Sequence, residues 1–287
     1  MPRIAYVNGV YQALSEARVS VEDRGYQFAD AVYEVWSVFD GRLADQEGHL
    51  NRLERSLGEL SIAMPLRRQA LLVVLNEVIR RNRLREGMVY LQISRGVAPR
   101  DHVFPQGVTP AIVITAKPVD REAAAQKAAQ GIKAMSAPDN RWGRCDIKTV
   151  GLLPNVLAKQ AAKEQGASEV IFVDADGFVT EGGSTNVYMV TRDGLIKTRP
   201  LSANILPGVT RLNLLPLMAA HGYELREEAF TLAEAKAASE VFITAATSLI
   251  MPVVAIDHAD IGSGKPGPVS QSLREAYIDH ARRTAGV

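Results

Sequence analysis

Between residues 32 and 60 the hydrophobic pattern changes its period, and that change restricts the folds open to the chain. Val32, Glu34, Trp36 and Val38 alternate with Tyr33, Val35, Ser37 and Phe39, the period-two pattern of a strand. Leu50, Leu53, Leu57 and Leu60 then recur three or four residues apart, the stripe of an amphipathic helix. A strand with one apolar face and a helix with one apolar stripe can bury both by packing together, so a mixed α and β unit is expected.

The rest of the first half fits that unit. Ile4 to Phe39 reads as short strands broken by turns, and Gln69 to Arg83 as a second helical segment before strands at Met88–Ser94 and Ala111–Lys117. An N-terminal α+β domain over residues 1–118 is expected. The following stretch is Ala-rich and charged, with too little apolar content for a core, so residues 119–131 are assigned as an interdomain linker. Residues 132–287 then form a C-terminal domain. Its elements begin with a strand near Ile132–Ala137 and a helix that starts at Pro154 and stops at Gly166. Strand Val170–Val173 turns at Asp176-Gly177, and Asn186–Val190 pairs with Leu195–Thr198 about Arg192-Asp193-Gly194. A helix over Val209–His221 carries Pro216, which challenges its continuity. Thr231 and Glu234 fit a capping box, and the chain closes on strands at Val241–Ala245 and Val253–Ile256 and a helix over Ser270–Arg283.

Composition narrows the function classes. The chain has 287 residues, 47% of them hydrophobic, enough for a sizeable core. Its formal net charge is +1 with both signs interspersed, which argues against nucleic acid and membrane surfaces and for a small-molecule partner. Cys145 is the single cysteine, compatible with a reducing compartment. The histidines at 49, 102, 221, 258 and 280 lack metal-ligand spacing, so no metal is expected. Without an apolar targeting segment near Met1, or an apolar run of membrane-spanning length, a cytoplasmic location is the default. Gly262-Ser263-Gly264-Lys265-Pro266-Gly267 matches a dinucleotide fingerprint literally, yet it contains proline and no βαβ unit follows, so it reads as a turn.

Two residues carry the chemistry. Lys148 ends Arg144-Cys145-Asp146-Ile147-Lys148 and precedes apolar Val150, Leu152 and Leu153, so its amine is expected in a partly enclosed site. Burial disfavours the charged form of an amine, and an uncharged amine attacks a carbonyl. Glu181 opens the small, hydroxyl-rich Glu181-Gly182-Gly183-Ser184-Thr185-Asn186. A Schiff-base lysine and an acid that keeps a pyridine nitrogen protonated are the groups pyridoxal phosphate most needs. Leu206-Pro207-Gly208-Val209-Thr210-Arg211 joins a loop to a helix start, where unpaired N–H groups favour a phosphate. Arg52 lies opposite the leucine stripe and can reach the same phosphate. Arg100 and His102, between Pro99 and Pro105, place a guanidinium and an imidazole on one loop suited to a carboxylate, and Tyr33 can add a phenolic donor.

In this order the motifs resemble the fold-type IV pyridoxal-phosphate aminotransferases, closest to the D-amino acid (D-alanine) aminotransferase branch. The resemblance rests on Asp23-Arg24-Gly25-Tyr26-Gln27-Phe28, Val32-Tyr33-Glu34-Val35, Pro99-Arg100-Asp101-His102, Arg144-Cys145-Asp146-Ile147-Lys148, Leu157-Ala158-Lys159-Gln160 and Val179-Thr180-Glu181-Gly182. It implies a two-domain α+β and α/β fold, with a smaller N-terminal α+β domain and a larger mixed-β cofactor domain. It also implies that Lys148 holds the cofactor and shuttles a proton, that Glu181 pairs with the ring nitrogen and that Leu206 supports the ring. Arg52, Val209, Thr210 and Ala246 would meet the phosphate. Tyr33, Arg100, His102 and Thr247 would meet the substrate, Arg100 and His102 across a homodimer. The implied activity is ping-pong transamination from a D-amino acid to a 2-oxo acid. The alternatives within the fold are branched-chain L-amino acid or (R)-amine aminotransferase and aminodeoxychorismate lyase. The chain departs from the pattern at Ala246, where a hydroxyl residue is common, and at Leu249, where glutamate is common.

Overall fold

The alternating run lies in a nine-residue strand, and the leucine stripe in a helix packed on it. In the computed structural model, which describes residues 3–287, the chain divides into two units. The first comprises the described residues up to 120 together with 147–151 and 281–287. Its elements are β1 (Ile4–Val7), β2 (Val10–Ala13), α1 (Arg24–Phe28), β3 (Ala31–Phe39), β4 (Arg42–Leu43), α2 (Gln46–Glu59), α3 (Arg68–Arg81), β5 (Gly87–Ser94) and β6 (Ala111–Pro118). The six strands form one antiparallel sheet in the order β2-β1-β6-β5-β3-β4.

Helices α2 and α3 lie against this sheet because each has one apolar stripe to bury. Val32, Trp36 and Val38 of β3 meet Leu50, Leu53 and Leu57 of α2 and Leu71 and Leu75 of α3 in one core. Each leucine buried this way contributes roughly 1.5–3 kcal/mol. Ile147, next to the end of the Arg144–Lys148 run, is buried in the same core. The five-residue α1 is short for periodicity to reveal: Asp23 caps it by accepting from Gly25 N at 2.8 Å, and Ala29, at φ +56°, ends it.

The second unit holds residues 121–146 and 152–280. Its elements are α4 (Arg121–Gln130), β7 (Ile132–Pro138), α5 (Leu153–Glu164), β8 (Glu169–Val173), β9 (Val179–Gly182), β10 (Asn186–Val190), β11 (Ile196–Thr198), α6 (Val209–Ala220), β12 (Leu225–Glu227), α7 (Leu232–Ala237), β13 (Glu240–Ala245), β14 (Leu249–Ile256), β15 (Ala259–Asp260) and α8 (Pro268–Ala285). The sheet runs β12-β11-β10-β13-β14-β7-β8-β9, with β15 on β14. It is mixed: β11/β12, β14/β7 and β7/β8 are parallel and the other pairs antiparallel. Every residue of β14 is buried, as expected of a strand in the middle of a sheet.

The segment 119–131 contains α4, because an alanine-rich run has high helix propensity even when only Ala128 is buried. Pro154 sits in the first turn of α5, and Gly166, at φ +76°, lies just beyond its end. Thr231 and Glu234 form a reciprocal capping box at α7. Helix α6 continues through Pro216, which lies on its solvent side, where water can serve the carbonyl left without a partner. Residues 262–267 form turns with Gly262 and Gly264 at positive φ, and α8 follows. Among the described residues no helix is long and apolar enough to cross a membrane.

Candidate active site

In the first unit Lys148 lies on an irregular segment stitched to β3. Its carbonyl accepts from Tyr33 N at 3.0 Å, and Thr149 forms an isolated antiparallel bridge with Val32. Its backbone N–H donates to Ser56 Oγ at 3.4 Å, and its Nζ stands 4.1 Å from the centre of the Tyr33 ring. Tyr33 in turn stacks on Tyr90 at 5.6 Å. Burial, with Tyr33 close by, pushes the Tyr90 phenol up to about 12, so it stays a neutral donor, to Gln92 Oε1 at 2.8 Å. Lys148 is half-buried, and no carboxylate of the described residues forms an ion pair with it. A half-buried amine with no acid paired to it is placed to react with a carbonyl once it has given up its proton.

Arg52 is not on a solvated face. It sits beside β3, and its Nε and Nη2 donate to the two oxygens of Glu34 at 2.7 and 2.8 Å. His49 Nδ1 meets Glu34 Oε2 at 2.7 Å, and all three side chains are buried. Burial opposes ionisation of Glu34, but the charge and hydrogen bonds of Arg52, with those of His49, outweigh it and hold the carboxyl below its usual range. Burial pushes His49 below its ordinary value, and Glu34 only partly offsets this. His49 lies outside the motifs that carry the resemblance, and Glu34 lies within Val32-Tyr33-Glu34-Val35 without a role of its own there. The signal for them is an acid in the buried phase of a strand, opposite a helix with His and Arg three residues apart.

Arg100 and His102 come together on one platform. The Arg100 guanidinium lies 4.4 Å from the Phe28 ring centre and the His102 ring 5.4 Å, both side chains exposed. Buried Arg24 straps down their loop by donating to the carbonyls of Asp101 and His102, and it grips Asp30 Oδ2 at 2.8 Å. Arg95 donates to both oxygens of the same Asp30, at 2.7 and 3.0 Å. Burial would raise the Asp30 carboxyl, but the two arginines hold it lowered.

In the second unit Glu181 lies inside β9 and is buried. Its Oε2 accepts from Leu206 N at 2.9 Å and from Asn186 Nδ2 at 3.4 Å, and its Oε1 pairs with Arg141. Arg141 also grips Asp139 Oδ2 at 2.7 Å and Asn204 O at 3.2 Å. Burial works against the Arg141 charge, but Asp139 and Glu181 hold its guanidinium above the ordinary range. Asn186 Nδ2 donates to Leu206 O at 2.9 Å as well, so the acid and the loop before α6 share one bonding set. Cys145 is a poor thiolate: burial pushes it up to about 11.

The start of α6 has the features of an anion cradle. Gly208 is the N-cap, with no side-chain capping bond, so the first helical N–H groups keep their directions. A Cβ at Gly208 would stand 2.2 Å from Asn186 Oδ1, so a larger residue there would displace the amide that bonds Glu181 and Leu206. Thr210 Oγ1 is buried with no hydrogen-bond partner, as is Ser248 Oγ in the β13–β14 turn that carries Ala246 and Thr247. Buried hydroxyls without partners are costly unless a ligand completes them. An acid held by donors, a helix start and these hydroxyls fit a phosphorylated, nitrogenous ring in the second unit. Among the described residues no cluster of three or more potential metal ligands occurs.

Residues 31–256 match the amino-transferase class IV family. The chain is 42% identical over 269 residues to the D-alanine aminotransferase of Bacillus licheniformis, covering 94% of each, and 39% identical over 273 residues to that of Staphylococcus haemolyticus, covering 95% of each. Among solved structures, a T.th. branched-chain amino acid aminotransferase with pyridoxamine 5'-phosphate is similar with a TM-score of 0.90 at 25% identity, covering all of this chain and 95% of that one. The Escherichia coli branched-chain enzyme follows with 0.89 at 26% identity, covering 98% of this chain and 95% of that one. Carried by that match and by these relatives, the conclusion is that this chain belongs to the class IV aminotransferases, enzymes that move amino groups.

Proposed function

We propose that the protein is a pyridoxal-phosphate-dependent D-amino acid transaminase, passing the amino group of a substrate such as D-alanine to a 2-oxo acid such as 2-oxoglutarate. The observation that carries this reading is Lys148, a half-buried amine placed over Tyr33 with no acid to neutralise it. When bound, the cofactor supplies an aldehyde that condenses with amines and a ring that withdraws electrons from a substrate Cα. Lys148 Nζ would hold it covalently, give way to the incoming amino group, and carry the proton taken from Cα. Glu181, fixed by Leu206 N, Asn186 and Arg141, would keep the ring nitrogen protonated, with Leu206 supporting the ring face. Val209 and Thr210 at the start of α6, Arg52, and Ala246 in its turn would hold the phosphate.

Tyr33 and Thr247 are read as substrate contacts beside the reacting carbon. Arg100 and His102 would bind the substrate carboxylate, and their exposure supports the reading that they serve a second subunit of a homodimer. The D-alanine aminotransferases at 36–42% identity support the D-specific reading. The branched-chain structures at 25–26% identity favour the L-specific alternative less strongly. Incubation with 2-oxoglutarate and D-alanine, L-alanine or L-leucine decides between them. Pyruvate from D-alanine alone is expected, and turnover of L-leucine with none of D-alanine overturns the proposal.

A further inference from the structure

The turn between β13 and β14 contains a backbone conformation that its sequence disfavours. The register pairs Thr244 with Ile250 and Ala245 with Leu249, so residues 246–248 close the hairpin. Leu249, the first residue after that turn, has φ +58°, a left-handed conformation uncommon for any residue but glycine. Its side chain is buried, so the position cannot relax outward. Arg274, on α8, reaches this point: its Nη1 donates to Ser248 O at 3.0 Å and also to Ile250 O, the carbonyls on either side of Leu249. No carboxylate among the described residues pairs with Arg274. Burial and then repulsion from Arg121 lower its proton affinity, so its donors are spent on this backbone at a cost. With alanine at 246, that residue offers an anion its peptide group but no hydroxyl.

We propose that Arg274 is a positioning residue that holds the 246–248 turn, through the carbonyls flanking Leu249, in the shape that receives the cofactor phosphate and substrate. The cofactor part rests on the transaminase reading. The test compares the parental protein with Arg274→Met, which keeps the apolar stem, and Arg274→Lys, which restores donors. Hydrogen exchange of peptides spanning 245–251 is measured in cofactor-free protein, and pyridoxal phosphate affinity by absorbance titration. Arg274→Met is expected to exchange at least tenfold faster at 246–250 alone and to bind the cofactor about tenfold more weakly, with Arg274→Lys recovering most of both. Unchanged exchange or unchanged affinity in Arg274→Met overturns the proposal, and so does exchange that rises evenly across the second unit. If Arg274→Met does not fold, Arg274→Gln is read by the same criteria. A parental protein that takes up no cofactor overturns the transaminase reading instead, while local exchange still decides whether Arg274 holds the turn.

Discussion

Arg52 and Glu34 form a two-point ion pair inside the first unit, with Nε and Nη2 at 2.7 and 2.8 Å from the two carboxylate oxygens. The pair lies under the core face of β3, where neither partner can be left alone without a large desolvation cost. Glu34→Gln, which strands the guanidinium, is expected to destabilise the protein by about 3–5 kcal/mol. Urea denaturation of cofactor-free protein measures this, and a loss below about 1 kcal/mol would show that the pair contributes little.

His49 makes stability depend on pH. Burial lowers its folded-state value below the ordinary 6.5, so the unfolded chain takes up the proton more readily. Stability from this group is therefore complete above about pH 7 and is lost as the pH falls below 6.5 toward the folded value. The melting temperature of the parental protein should drop between pH 7 and 5.5, and more steeply than that of His49→Gln. Parallel curves would contradict the lowering of His49 by burial.

Glu181→Gln keeps the size of the side chain and removes its charge. A carboxylate about 4 Å from a ring cation is worth on the order of 4 kcal/mol at an intermediate dielectric, so kcat should fall by about a hundredfold or more. Single-turnover kinetics with D-alanine should show the loss in the proton-transfer step, with KM less affected. A kcat within about threefold of parental would remove Glu181 from the ring nitrogen.

The loop of Arg100 and His102 offers a split between binding and chemistry. Arg100→Ala removes a charged donor worth roughly 1.5–3 kcal/mol, so KM for the amino acid should rise about tenfold or more while kcat changes less. Arg24→Met leaves Arg100 in place but frees the carbonyls of Asp101 and His102, and should raise KM in the same direction by a smaller factor. A kcat loss without a KM change in both variants would contradict a role in carboxylate binding.

Much of the fold was legible because local rules and tertiary packing agree. The β3 alternation, the α2 stripe, the Pro154 and Gly166 limits of α5 and the Thr231–Glu234 box are each set by residues close in sequence. Helix α4 was not, because its apolar content is low and its helicity comes from alanine propensity. In the site, Lys148 and Glu181 stand out through their neighbours in sequence. The groups that hold the site in place do not: Glu34 meets Arg52 across 18 residues, and Arg141 meets Glu181 across 40. Such partners become visible only once strands and helices are stacked.

The central claim concerns the ε-amino group of Lys148. Borohydride reduction of the cofactor-loaded enzyme, followed by protease digestion and peptide mass analysis, locates the covalently held ring. A phosphopyridoxyl mass on the peptide containing Lys148, and on no other lysine, is the predicted result. The same mass on a different lysine, or on none, would contradict the account.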